Sequence, residues 1–140
     1  MKWNNGELQL QYNTRSNIIK NNIFYANSQN CFITNPFVQN VSNDIDFNMY
    51  YSSGGQQYSK WQWMKVRYTS FRSWRTGTGN DTHSLFINPL FITTGSHPNL
   101  HLKALSPAIN RGCTLSSGSY DIDENQRVNN IIDMGADEYY

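Results

Sequence analysis

Charge is what this sequence has least of. Only 15% of the side chains are charged, where ~25% is usual for a soluble domain. The net charge is +1 and no basic block occurs, which argues against a counterion-driven nucleic-acid binder. Long apolar runs are also missing, so no segment reads as a membrane span. The N-terminal stretch MKWNNGELQLQ lacks the apolar centre of a signal peptide. An exported parent would therefore carry its leader upstream of this chain. If Met1 is instead the natural start, an enzymatic role becomes much harder to sustain. Cysteine is limited to Cys31 and Cys113, with no metal-ligand spacing. Whether they pair is open, and Cys31 in CFIT reads as a small core residue.

Amides supply the polarity that charge does not. Asparagine occurs 19 times, a residue that disfavours helix interiors and favours turns and side-chain ladders. Hydrophobic residues are 38% and aromatics 14% of the chain, enough for a core in one domain.

The organising feature is a nonapeptide that occurs twice. NIIKNNIFY (Asn17 to Tyr25) returns as NDIDFNMYY (Asn43 to Tyr51), with Ile19 on Ile45, Asn22 on Asn48 and Tyr25 on Tyr51. A strand-bearing repeat of this period suggests stacked units. The sequence therefore predicts an all-β fold, a right-handed parallel β-helix of few coils. In it Ile19, Ile23, Ile45 and Met49 point inward, and Asn22 and Asn48 form a structural amide ladder. Two unrelated surface asparagines are the alternative.

One domain spans 1–140. Residues 7–52 form repeat coils, starting at the alternating ELQLQY, with polar turns at 13–17 and 27–30 and a break at Asn35-Pro36. SSGGQQ then interrupts the repeat. Residues 58–84 read as an aromatic excursion against the side of the coils. Its short helix is capped by Ser70 and stopped at Gly77. Residues 85–112 resume a coil, and 113–140 form a C-terminal cap.

Several motifs resemble a known family. LSPAINRG (Leu105 to Gly112), DIDENQR (Asp121 to Arg127) and DMGADEY (Asp133 to Tyr139) are similar to the C-terminal end of bacterial right-handed β-helix proteins of the choice-of-anchor Q type. SFRSWRTGTGNDTHSLFINPLF (Ser70 to Phe91) is similar to the pattern that precedes that end. Arg111, Glu124 and Asn88 depart from it, standing where a small residue, a glycine and an aspartate are usual. The resemblance covers about the last two thirds of the chain. It implies a pectate-lyase-like fold and an exported, cell-surface parent that binds or acts on polysaccharides. Catalytic faces in that fold normally lie on coils nearer the N-terminus.

For this chain the expected function is a non-catalytic carbohydrate-binding or structural module. The alternative is the terminal part of a polysaccharide lyase or glycoside hydrolase. Asp81 and His83 are two apart and would share a face of a strand. A carboxylate orienting an imidazole is a general-base arrangement, with Arg72, Arg75 or Lys65 to steady an enolate. The preferred reading is that the pair docks the excursion. Trp61, Trp63, Tyr58 and Tyr68 form either a sugar platform or core. Asp121, Asp123 and Asn125 resemble the first half of a calcium loop, but Gln126 and Ile132 stand where its glycine and glutamate belong. A loop held by Arg127 and Arg111 is the competing reading, and no cofactor other than calcium is indicated. The expected partner is a polysaccharide or oligosaccharide. The N-terminal coil has no cap comparable to the C-terminal one, so a homodimer through Leu8, Leu10, Ile19 and Ile23 is expected unless Trp3 folds back over them.

Overall fold

The computed structural model describes residues 6–26, 31–116, 118–127 and 131–140. The turn expected at 27–30 and the fold-back of Trp3 lie outside these residues. The strands are short: β1 (Leu8–Gln9), β2 (Ile18–Ile19), β3 (Ile23–Ala26), β4 (Cys31–Asn35), β5 (Asp44–Ile45), β6 (Met49–Ser52), β7 (Lys60–Trp63), β8 (Val66–Tyr68), β9 (Leu85–Phe86), β10 (Phe91–Thr93) and β11 (Asn99–Leu102). One helix, α1 (Phe71–Thr78), lies between β8 and β9.

Among the described residues the strands form four small sheets, ordered β1-β4-β7-β8, β2-β5, β3-β6-β9 and β10-β11. The repeat pairs as its register requires. Ile19 lies opposite Ile45 and Ile23 opposite Met49, both in parallel pairs. The bends recur too. Ser16 and Ser42 have positive φ just before Asn17 and Asn43, and Asn21 and Phe47 just before Asn22 and Asn48. Each bend turns the next asparagine toward its counterpart. Asn17 Nδ2 donates to Asn43 Oδ1 at 2.8 Å, and Asn22 Nδ2 to Asn48 Oδ1 at 3.0 Å.

The expected all-β right-handed parallel β-helix is nevertheless corrected. The sheets mix parallel with antiparallel pairing, one helix is present, and the described residues form no closed or solenoid β-helix. The reason is that the step does not repeat. Asn22 and Asn48 are 26 residues apart, whereas Asn48 and its next partner, Ser84, are 36 apart. A hairpin and a helix fill the difference, and β10 with β11 closes an antiparallel pair instead of adding to the parallel set.

The excursion is likewise more central than its sequence suggests. β7 pairs in parallel with β4 and carries Trp61 into the core. Trp61 stacks on Phe32 at 5.2 Å and lies parallel to Trp74 at 6.3 Å, with Tyr50, Phe71 and Phe86 around it. α1 begins with a reciprocal cap. Ser70 Oγ accepts from Ser73 N at 3.1 Å, and Ser70 N donates to Ser73 Oγ at 3.2 Å. The helix does not stop at Gly77. That residue lies inside the helix, a glycine there because the Tyr68 ring stands where a Cβ would, and Gly79, in the left-handed region at φ 73, ends the helix.

The C-terminal segments pack against the parallel pairs. Met134 and Ala108 share a cluster with Met49, against which Ile23 and Leu85 pack. Gly135 N donates to Asn21 O at 2.8 Å, and Met134 N to Ala108 O at 3.0 Å. Arg127 ties this region together. It donates to Gly135 O at 2.8 Å and pairs with the buried Glu138 at 3.3 Å. Burial pushes the Glu138 carboxyl above its ordinary range. Both cysteines are free.

Candidate functional site

Asp81 and His83 face different ways. Asp81 sits at φ 55 in a turn, so the alternation of a strand does not apply. Its side chain is fully buried and accepts hydrogen bonds from four neighbours. Ser84 Oγ and Asn48 Nδ2 reach Oδ1 at 2.5 and 3.2 Å, and Trp74 Nε1 and Tyr50 OH reach Oδ2 at 2.7 and 2.8 Å. Burial raises its carboxyl above the ordinary range against the pull of these donors. The Tyr50 phenol is pushed up by the same burial and by the charge of Asp81. Asp81 thus fastens α1, β6 and the asparagine ladder to one another. It makes no contact with the His83 imidazole.

His83 pairs with Asp46, a residue that its sequence context does not single out. His83 Nδ1 lies 2.7 Å from Asp46 Oδ2, and His83 N donates to Asp46 Oδ1 at 2.7 Å. Thr82 Oγ1 donates to Asp46 Oδ2 at 3.0 Å. Burial alone would raise the Asp46 carboxyl, but the bonds from His83, Phe47 N and Thr82 outweigh it and hold it below its ordinary value. The Phe47 ring stacks on the imidazole at 4.7 Å and 12°, and Lys20 sits 6.0 Å from the centre of that ring. Phe47 holds its ring there from φ 54, where the first repeat has an asparagine. A carboxylate on Nδ1 fixes the tautomer with the proton on that nitrogen. The His83 side chain is 63% exposed, so Nε2 is available to accept a proton. The signal for Asp46 was in the repeat: an acidic residue stands where the first unit has Lys20.

Thr82 connects this pair to a groove of about 500 Å³ lined by Gln56, Phe71, Arg72, Arg75, Thr76 and Thr82. Phe71 is buried behind it, and the Arg75 guanidinium lies 5.5 Å over that ring. Arg75 Nη2 also donates to Thr82 O at 2.7 Å, which fixes the guanidinium at the groove edge. Arg72 is exposed on the same turn of helix.

The expected aromatic platform is corrected. Trp61 is core, 1% exposed. Trp63 and Tyr68 meet Trp74 edge-on at 5.6 and 5.8 Å and are partly buried against the core around α1. Tyr58 is exposed but stands apart from them. Lys65 lies in the β7–β8 turn, exposed. In the acidic loop, Asp121 Oδ1 accepts from the backbone N–H of Asp123 and Asn125 at 2.9 and 2.8 Å. The Asp123 carboxylate turns away to His101.

No family model and no solved structure matches the chain. Over 103 residues, 74% of its length, the chain is 38% identical to the uncharacterized protein YwoF of Bacillus subtilis strain 168. The match spans 22% of that protein, so the chain corresponds to about a fifth of this relative. No helix among the described residues is long and apolar enough to cross a membrane.

Proposed function

We propose that this chain is a non-catalytic module that binds acidic polysaccharides, as the terminal part of a larger exported, cell-surface protein of the choice-of-anchor Q type. The observation that carries the reading is the groove on α1, with Arg72 and Arg75 beside Phe71, Gln56 and Thr82. Guanidinium groups recognise carboxylates through paired donors, and the amide and hydroxyl groups suit the hydroxyls of a sugar ring. The motifs at Ser70 to Phe91 and Leu105 to Tyr139 support the choice of parent. Calorimetric titration with polygalacturonate, alginate and chondroitin, against neutral dextran, tests it. Acidic polymers are expected to bind, and Arg72→Ala with Arg75→Ala to weaken them at least tenfold. Equal binding of dextran, or no effect of the double variant, would sink the reading.

A second reading rests on the Asp46–His83 pair. His83 Nε2 would take the proton α to a uronate carboxylate while the C–O bond at the β carbon breaks, leaving a double bond on one side and, on the other, a sugar oxygen that takes a proton from water, with an arginine steadying the enolate. Unsaturated product, followed by ultraviolet absorbance and lost in His83→Ala, would move the chain to the lyase class.

The open edges of β1, β2 and β3, each paired on one side only among the described residues, support self-association of two copies by a two-fold axis. Sedimentation at micromolar concentration is expected to give a dimer that a charge at Leu8 breaks. A monomer would refute it.

A further inference from the structure

We propose that His101, Asp123 and Asp137 form a binding site for a divalent first-row transition metal of the zinc type. Three separate segments bring these residues together: β11, the loop after Tyr120, and the C-terminal segment. Their ligand atoms lie within 4.8 Å of one another. The groove on α1 and the Asp46–His83 pair take no part in the site.

The imidazole carries the argument. Asn99 Oδ1 accepts from His101 N at 3.0 Å, which fixes the orientation of that amide. The same oxygen lies 2.5 Å from His101 Nδ1, so Nδ1 must carry its proton and donate it. A neutral imidazole then has only a lone pair at Nε2. Yet Nε2 points at the Asp123 carboxylate, 2.8 Å away. Two lone pairs at that distance need a positive charge between them. A proton on Nε2 supplies it when no metal is bound, giving the ion pair seen here; a metal ion would take the place of that proton, and the Nδ1–H held by a carbonyl oxygen is the usual support of a metal-bound histidine.

The third ligand adds a second negative charge to the site. Asp137 is 5% exposed, and a buried carboxylate is costly without a counter-charge. Leu102 N donates to its Oδ2 at 2.7 Å, which orients the group. The nearby guanidinium of Arg127 is engaged with Glu138. A divalent ion would neutralise Asp123 and Asp137 together. Zinc ligands at ~2.0–2.2 Å stand about 3.3 Å apart around a tetrahedral ion. The half-exposed Asp123 side chain can swing to that spacing, because its loop is held by Asp121 Oδ1 and not by the Asp123 carboxylate. One imidazole with two carboxylates suits zinc, cobalt or manganese, whereas calcium takes oxygen ligands alone. Three protein ligands leave a position for water.

Titration calorimetry with Zn²⁺, and the visible absorption of added Co²⁺, test the site. One ion per chain is expected. His101→Ala and Asp123→Asn should each weaken binding at least 100-fold, and Asn99→Ala about tenfold. His83→Ala and His97→Ala should leave it unchanged. Circular dichroism checks folding, and Asp123→Asn, in an exposed loop, serves if His101→Ala unfolds. Absence of binding, with nitrogen NMR showing both ring nitrogens of His101 protonated, would overturn the proposal. So would binding that survives both ligand variants, or Ca²⁺ binding as tightly as Zn²⁺.

Discussion

At the scale of single residues, the asparagines divide by burial rather than by their place in the repeat. Asn48 is fully buried and donates to Ile19 O at 2.9 Å and to Asp81 Oδ1 at 3.2 Å, while its N–H donates to Ser84 Oγ at 2.7 Å. Asn22 is exposed, and its amide reaches Lys20 O and Asn48 Oδ1. Asn48→Ala should therefore cost about 1–3 kcal/mol, since it strands buried partners. Asn22→Ala should cost under about 1 kcal/mol, because water replaces what is lost. Chemical denaturation of the two variants reads the difference, and equal losses would refute it. Asp46 gives a pH signature. Its folded carboxyl titrates below the ordinary 3.8, so its contribution is present above that value and is lost as pH falls through the lowered one. Between about pH 5 and pH 2 the stability gap between the natural chain and Asp46→Asn should narrow. At an exposed ion pair that gap is under about 1 kcal/mol, so thermal melts across the range must resolve a few degrees. A gap that widens toward acid would contradict the assignment. Asp46 itself was hard to find from sequence because its partner is 37 residues away. The adjacent Asp81 offered a nearer carboxylate, and only a left-handed bend turns it inward.

Among the elements, the β7–β8 hairpin is the one whose turn chemistry disagrees with its shape. β7 and β8 pair antiparallel, with Trp63 opposite Val66. The two residues between them, Met64 and Lys65, both have positive φ, at 48° and 73°. That geometry is the two-residue turn favoured by Asn-Gly, and each ordinary side chain in it costs about 1 kcal/mol. Replacing Met64→Asn and Lys65→Gly together should stabilise the protein by about 1 kcal/mol, read from the denaturant midpoint at unchanged m-value. Destabilisation would mean that the partly buried Met64 side chain matters more than the turn. The mismatch explains why the hairpin was not legible: nothing in WMKV announces a turn, and the aromatics by themselves suit either a sugar platform or a core. The helix was legible, because Ser70 and the apolar pair Phe71 and Trp74 mark it directly. Its end was not, since two glycines stand close together, Gly77 inside the helix and Gly79 after it, and only the Tyr68 ring tells a packing glycine from a stop.

Across the whole molecule, the parallel pairing of the two nonapeptides could be read from sequence because both units have the same length and the same asparagines. The arrangement of the chain beyond Ser52 could not. A hairpin and a helix widen the step to 36 residues, and short antiparallel pairs depend on contacts that no periodicity records. The mixed sheets are the consequence. The tie between the first repeat and the C-terminal segments governs how the chain can assemble. Asn21 accepts from Gly135 N at 2.8 Å, and it exchanges bonds with Cys113 at 2.9 and 2.6 Å, across 92 residues. Its neighbour Ile23 packs in the same region against Met134. During synthesis this face of the first repeat must wait for the 135 − 21 = 114 residues that separate Asn21 from Gly135. At ribosomal speeds of about 5–20 residues per second, that delay is on the order of ten seconds. Until the segment around Met134 emerges, Ile23 and Met49 lack that cover. A ribosome stalled before Met134 would therefore hold a sticky intermediate, one that chaperones bind and proteases cut, while emergence of the segment from Met134 to Gly135 would close it in a single step.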